Sequence, residues 1–415
     1  MAARRAWLLA VLTVLLSAAS VPAASITWAN ASGGNFQTPG NWNPAVVPGP
    51  ADVAVFNIAS PAYTVTWSAP VTNLVFNVNA GTVTWNLGGY TYSYFYTNVA
   101  CTIGTATNAV NLTITNGTIT YATYNYKPAS ISGTGTMVRV NQASVTLLYA
   151  GIGAGATVIA DGTNTVFGSY GYTTGLANLI VTNNARLSAS SGTDMYSGNR
   201  LDISGTGSGS HHSCAFSKFQ SNSTVRVANG AIVDNSYVSY LVPMGGRLTL
   251  DGAQLKDAYT TTTMTVTGAV AILEGKGELD FRLIANFGGQ IWPGGSNSAG
   301  QLLVKGDVSN AVPGSGTIAI ELGGTLTNQY DRLSITNGTG GSGTLYAGGT
   351  LKVSLINGFQ LTNKATFKIL DFVSATGVFD AVILPGDASR WNTQNLYTTG
   401  QIQYGVAQGT VSIFR

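Results

Sequence analysis

The one local group of carboxylates in this 415-residue chain is Glu274-Gly-Lys-Gly-Glu278-Leu-Asp280, with Arg282 just beyond it. Carboxylates so spaced serve two chemistries, Ca²⁺ coordination and acid–base cleavage of glycosidic linkages. If the stretch is extended, Glu278 and Asp280 share a strand face and Arg282 continues the row, because alternate strand residues point the same way. That row would suit the groove of a polysaccharide lyase, with Arg282 as proton acceptor. The plainer reading, a salt-bridged outer strand face, is preferred. His211-His212 with Cys214 is the other group of metal-ligand type. Adjacent strand residues face opposite ways, so both imidazoles would reach one ion only from a loop, which the preceding Gly-Ser-Gly-Ser resembles. No fourth ligand lies close in sequence, so neither a metal site nor a cofactor is assigned. The same two histidines are the only bases for a Ser-His-Asp set, and no Gly-x-Ser-x-Gly elbow precedes a helix. Catalysis is not expected.

A second pattern is aromatic. Tyr90, Tyr92, Tyr94 and Tyr96 alternate along one face, with Phe95 on the other, and Tyr121, Tyr124, Tyr126, Tyr149, Tyr170 and Tyr172 follow. Stacked on an outer face, they would make an uncharged strip suited to flat sugar faces or to a partner protein. The competing reading is an aromatic ladder that only stabilises neighbouring strands.

The elements that must carry these residues are strands. Only 8% of residues are charged while 45% are hydrophobic, the opposite of the balance that keeps a chain disordered. Thr, Ser, Asn, Gly and Tyr replace the missing charges, and these are strand and turn residues. Between Ala6 and Tyr126 the only formal charge is Asp52, and the net charge is +3. A nucleic-acid partner needs clustered Lys and Arg and is excluded.

A quasi-repeat runs through the chain: Leu-Thr-Ile-Thr-Asn-Gly-Thr-Ile from Leu112, Leu-Ile-Val-Thr-Asn-Asn-Ala-Arg-Leu from Leu179, Val-Arg-Val-Ala-Asn-Gly-Ala-Ile from Val225, Leu-Thr-Leu-Asp-Gly-Ala-Gln-Leu from Leu248 and Leu-Ser-Ile-Thr-Asn-Gly from Leu333. Each copy reads as a strand, a turn at Asn/Asp-Gly and the start of a second strand. Units of this size cannot bury their apolar faces singly, and stacking them makes a continuous core. The pattern predicts an all-β fold, a right-handed parallel β-helix, with tandem β-sandwiches as the alternative. A membrane barrel is disfavoured because the apolar segments are short and turn-broken.

The start of the chain reads as an export signal. Arg4 and Arg5 precede an apolar stretch from Ala6 to Ser20, and Val21-Pro22-Ala23 supplies the small residues of a cleavage site. The stretch is short for a membrane span, so cleavage after Ala23 is expected, with Ala24 as the near alternative. No later run reads as a span. The expected organisation is a signal peptide over residues 1–23, an N-terminal cap and first coils over 24–75, a β-helix body over 76–316 and terminal coils over 317–415. Cys101 and Cys214 lie several coils apart on this scheme, which favours two buried thiols over a disulfide.

Two regions carry a family resemblance. Ile26-Thr27-Trp28, Gly34-Asn35-Phe36, Asn41-Trp42 and Val47-Pro48-Gly49-Pro50-Ala51-Asp52-Val53-Ala54-Val55-Phe56 resemble the opening of autotransporter-type β-strand-repeat proteins exported by bacteria such as Verrucomicrobia and planctomycetes. Trp28, Phe36 and Trp42 read as a cap over the first coil. Trp292-Pro293-Gly294-Gly295-Ser296 with Leu302, Val304 and Gly306, then Ile320-Glu321-Leu322, Tyr330-Asp331-Arg332-Leu333, Gly349-Thr350-Leu351-Lys352-Val353, Phe367-Lys368-Ile369-Leu370 and Gly377-Val378-Phe379, are similar in order to the last coils of an autotransporter passenger domain. The membrane barrel or sorting helix that follows in such proteins is not seen in this sequence. The resemblance implies an exported structural or adhesin-like β-helix, secreted or at the cell surface. A glycan or a surface protein is its expected partner; the alternative is a polysaccharide-binding or polysaccharide-degrading β-helix.

Overall fold

The computed structural model describes residues 23–95, 100–122, 129–170, 173–174, 178–189, 193–195, 198–205, 211–213, 216–235, 240–243, 245–257, 263–311, 316–338 and 340–405. Strands account for 56% of the described residues and helix for 2%, which makes the fold all-β. The strands are short because turn residues interrupt them. Asn116, Asn183, Asn184 and Asn229 all take positive φ, a conformation that asparagine tolerates because its short side chain bonds locally. Between turns, the alternation of apolar and polar residues decides which face is buried. Leu112 and Ile114 are 1% exposed, while Thr113 and Thr115 are partly open.

Each strand stacks in parallel on the equivalent strand of the next coil. Tyr63, Val83, Leu112, Val138, Val158, Leu179, Leu201, Val225, Leu248 and Leu273 form one ladder, each in register with the next. The result is a β-solenoid with its core inside the coils. Tandem sandwiches are ruled out, because sandwiches are built from antiparallel sheets and these ladders are parallel. The stack is continuous through residues 75 and 317: Val75–Val78 lies between Val53–Phe56 and Thr102–Ile103, and Thr317–Leu322 pairs with both Gln290–Pro293 and Thr350–Leu355.

Antiparallel pairs occur at the two ends. Trp42–Asn43 lies against the outer edge of Ser25–Trp28, and its indole stands edge-on to Trp28 with ring centroids 5.0 Å apart. Phe36 packs on Trp42 at 4.8 Å, and the Trp42 Nε1–H donates to the Phe36 carbonyl at 2.7 Å. The aromatic cap over the first coil is therefore present. At the other end Thr366–Lys368, Gln401–Tyr404 and Trp391–Asn392 form a three-stranded antiparallel sheet. There Trp391 packs between Phe367 and Tyr404. Among the described residues no helix is long and apolar enough to cross a membrane. The expected signal segment, apart from Ala23, lies outside the described residues.

Candidate functional site

The acidic stretch falls within Ile272–Phe287, a strand that turns corners as it goes. Gly275 has φ of 106°, and a Cβ there would lie 1.9 Å from the Leu250 carbonyl oxygen. Only glycine lets the chain turn this close to the coil below. The corner separates Glu274 from Glu278, so the stretch is not one flat strand and its carboxylates do not form one row. Glu278, Asp280 and Arg282 do share the outward face of the next segment, with Leu279 and Phe281 turned inward. The ladder shifts register between Asp280 and Leu283.

The partners of these carboxylates come from neighbouring coils. Glu274 is 7% exposed; its Oε2 accepts from Arg247 Nη1 and its Oε1 from Thr249 Oγ1 at 2.9 Å. Glu278 Oε1 accepts from Lys305 Nζ at 2.7 Å. Asp251, one coil below, accepts from Arg226 Nη2 at 2.7 Å. Asp280 stands in register between Lys256 and Lys305. Arg282 Nη2 donates to Thr263 Oγ1 at 3.1 Å, a contact within the scaffold.

The ladder of coils also builds two adjoining grooves. One, of about 390 Å³, is lined by Thr249, Asp251, Glu274, Lys276, Ser296 and Ser298 among others. The second, of about 330 Å³, lies across the Gly252/Gly277 corner beside Gln254, Glu278 and Gln301. Asp251, Lys276 and Arg247 were not singled out in the sequence as site residues, and the loop from Gly294 to Gly300 only through the Pro-Gly-Gly-Ser motif of the resemblance. The usable signal was the alignment of Leu-Thr-Leu-Asp-Gly-Ala-Gln-Leu from Leu248 onto Leu-Glu-Gly-Lys-Gly-Glu-Leu from Leu273, which stack in register with a bulge.

Beneath that loop lies a second pair of carboxyls. Asp331 is fully buried; its Oδ1 accepts from the Gly300 N–H and its Oδ2 from the Glu321 N–H, each at 2.9 Å. Burial pushes the Asp331 carboxyl up to about 8, against the pull of those two N–H groups, and the neighbouring Glu321 adds to the rise. Glu321, 5% exposed, accepts backbone N–H bonds from Asn297 and Ser298. Burial raises its carboxyl as well. The Pro-Gly-Gly-Ser, Ile-Glu-Leu and Tyr-Asp-Arg-Leu motifs, separate in the sequence, are thus one structural unit.

Of the two aromatic readings, the outer strip is overturned at Tyr92 and Tyr94, and the ladder is what the described residues show. Tyr92 and Tyr94 are 0% and 1% exposed, while Tyr90, at 37%, faces solvent. Their face of the strand is the inner one, where they pack against Phe76 at 5.7 and 5.5 Å. The apolar body of tyrosine is worth more in the core than on the surface, so the strip is a ladder inside the first coils. Tyr121 and Tyr149 are half-buried. Tyr96, Tyr124, Tyr126 and Tyr172, and the side chain of Tyr170, lie outside the described residues.

His211–Ser213 is a strand paired with Ile232–Asp234, so the loop needed to bring both histidines to one ion is not there. Cys214 lies outside the described residues, among which no group of three His, Cys, Asp or Glu residues could hold a metal. Cys101 is a buried free thiol, and burial pushes it up to about 12, which leaves it inert at neutral pH.

Compared with protein-family models, with curated proteins and with solved structures, the chain matches none.

Proposed function

We propose that the chain is an exported, non-catalytic β-solenoid that serves as a structural or adhesive rod, secreted or held at the bacterial surface. The observation that carries this reading is the pairing of Asp251, Glu274 and Glu278 with Arg226, Arg247 and Lys305 across coils. Carboxylates tied to a cation on the neighbouring coil brace a ladder. Those of an acid–base pair converge on a substrate with unlike environments. The resemblance of both ends of the chain to autotransporter-type repeat proteins supports export. So does the charge-poor Thr, Ser and Asn surface, which stays wet without ionic groups.

One observation favours a second reading, glycan binding. The groove of about 390 Å³ joins hydroxyl, carboxylate and ammonium groups at a size suited to one or two sugar rings. A single series of measurements separates the two readings. Expressed in a bacterial host with its first 23 residues, the protein should reach the medium or the surface as a chain beginning at Ala24, as read by N-terminal sequencing. It should coat beads that adhere to cells and leave uronate polymers intact. Retention inside the cell with Met1 in place would defeat the proposal. Saturable binding on a glycan array, lost in Asp251→Ala and Lys276→Ala, would replace it with the glycan reading.

A further inference from the structure

The loop from Gly294 to Gly300 forms one wall of the larger groove. Its first N–H, that of Gly294, donates to the Gly275 carbonyl at 2.8 Å, its last carbonyl, that of Gly300, accepts from the Arg332 N–H at 2.9 Å, and two carboxyls hold it from below. The N–H groups of Asn297 and Ser298 point to Glu321 and that of Gly300 to Asp331. The loop sits close on these anchors. Gly294 has φ of 81°, and a Cβ there would lie 2.3 Å from Asp331 Oδ1 and 2.0 Å from the Ser298 carbonyl oxygen.

The two acids are neighbours in a strict sense. Asp331 N–H donates to the Glu321 carbonyl at 2.8 Å, and Glu321 N–H donates back to the Asp331 carboxylate. Glu321 Oε2 is buried with no hydrogen-bond partner. The charged groups around the pair are few. Lys276 crosses above it, its Cγ 2.6 Å from where a Cβ on Gly300 would stand, and it draws the Asp331 carboxyl down only as the smallest of five influences. Glu274 lies beside Gly295 on the groove side, tied to Arg247. Arg332 follows Asp331 but donates to Gln301 Oε1 at 2.8 Å. Two adjacent carboxylates in a buried site, with the Lys276 ammonium exerting only a weak pull, cannot both ionise at low cost.

We propose that Glu321 and Asp331 share a proton and act as a pH-operated latch on the Gly294–Gly300 loop, tight in acid and progressively looser toward alkaline pH. The direction follows from linkage. With the loop closed, the Asp331 carboxyl sits near 8; with the loop lifted and the acid hydrated, it returns to the ordinary range near 4. The closed form therefore holds a proton that the open form releases throughout that interval. Closure is fully supported below about pH 4, weakens about tenfold per pH unit between, and changes no further above about pH 8.

The test is hydrogen exchange of the full chain between pH 5 and 9, read at the Asn297, Ser298 and Gly300 amides after correction for intrinsic chemistry. The protection factor should fall about tenfold per unit from pH 5.5 to 7.5 and level off beyond about 8, while amides of the Leu248–Leu250 ladder stay constant. Glu321→Gln keeps an acceptor for the loop and removes the neighbouring charge, so it should move the levelling-off point to lower pH. Asp331→Asn should abolish the slope, even where it also lowers protection overall. Protection that is independent of pH in the wild type, or a slope that survives Asp331→Asn, overturns the latch. The latch does not depend on whether the groove takes a glycan or the rod only adheres.

Discussion

Two tyrosines two residues apart show how position decides what a hydroxyl is worth. Tyr94 Oη accepts from the Leu148 N–H at 3.0 Å, a bond that ties together coils 54 residues apart. Tyr92 Oη is buried with no partner. A buried donor without a partner costs about 1–3 kcal/mol, whereas a made hydrogen bond contributes about 1 kcal/mol. Tyr94→Phe should therefore destabilise by about 1–2 kcal/mol, since it also orphans the Leu148 amide. Tyr92→Phe should be neutral or stabilising by up to about 1 kcal/mol. Urea denaturation of both variants side by side reads the difference, and equal losses would contradict the assignment. In the sequence both residues belong to one alternating row. What could not be read there was which face of that row points inward, because an uncharged aromatic strand fits either side of a sheet.

At the scale of the element, corners decide the geometry. Gly275 and Gly252 both have positive φ, but a Cβ at Gly275 strikes the Leu250 carbonyl, whereas at Gly252 nothing lies within 4 Å. Gly252→Ala carries only the left-handed penalty of about 1–2 kcal/mol. Gly275→Ala adds a backbone collision and should cost about 3 kcal/mol or more. Chemical denaturation midpoints of the two variants measure the gap, and a smaller loss for Gly275→Ala would refute the corner reading. The Asn-Gly and Asp-Gly turns and the inward alternation of Leu112, Ile114, Leu248 and Leu250 were legible because each is a local rule. The corner at Gly275 was not, since the need for glycine there comes from a carbonyl one coil away. For the same reason the sequence showed Glu274, Glu278 and Asp280 as a cluster but not Arg247 and Lys305 as the partners of Glu274 and Glu278. Glu321 and Asp331 were visible only as fragments of a resemblance, their shared loop being roughly a coil distant.

Across the whole molecule, each coil touches little beyond its neighbours, so coils should be removable in register. Excising residues 137–156 joins Thr136 to Thr157, and Thr157 stacks on Met137 in the intact chain. The shortened chain should keep its β circular dichroism and a cooperative thermal transition, at a stability reduced by the lost interfaces and the Tyr94 contact. Loss of the β signal would mean that the coils are not interchangeable units. The all-β solenoid was readable at this scale because stacking is the only way such repeats bury their apolar faces.

The parallel register also sets how the protein responds to mechanical load. Hydrogen bonds between coils run along the axis of the stack, so a pull on the two ends opens them a few at a time rather than shearing many at once. The molecule would pay out chain one coil after another. The ladder residues Leu112 to Leu273 lie 20 to 26 positions apart, so each step releases about 65–95 Å of extended backbone. A rod of this construction is a poor strut under tension but a good shock absorber.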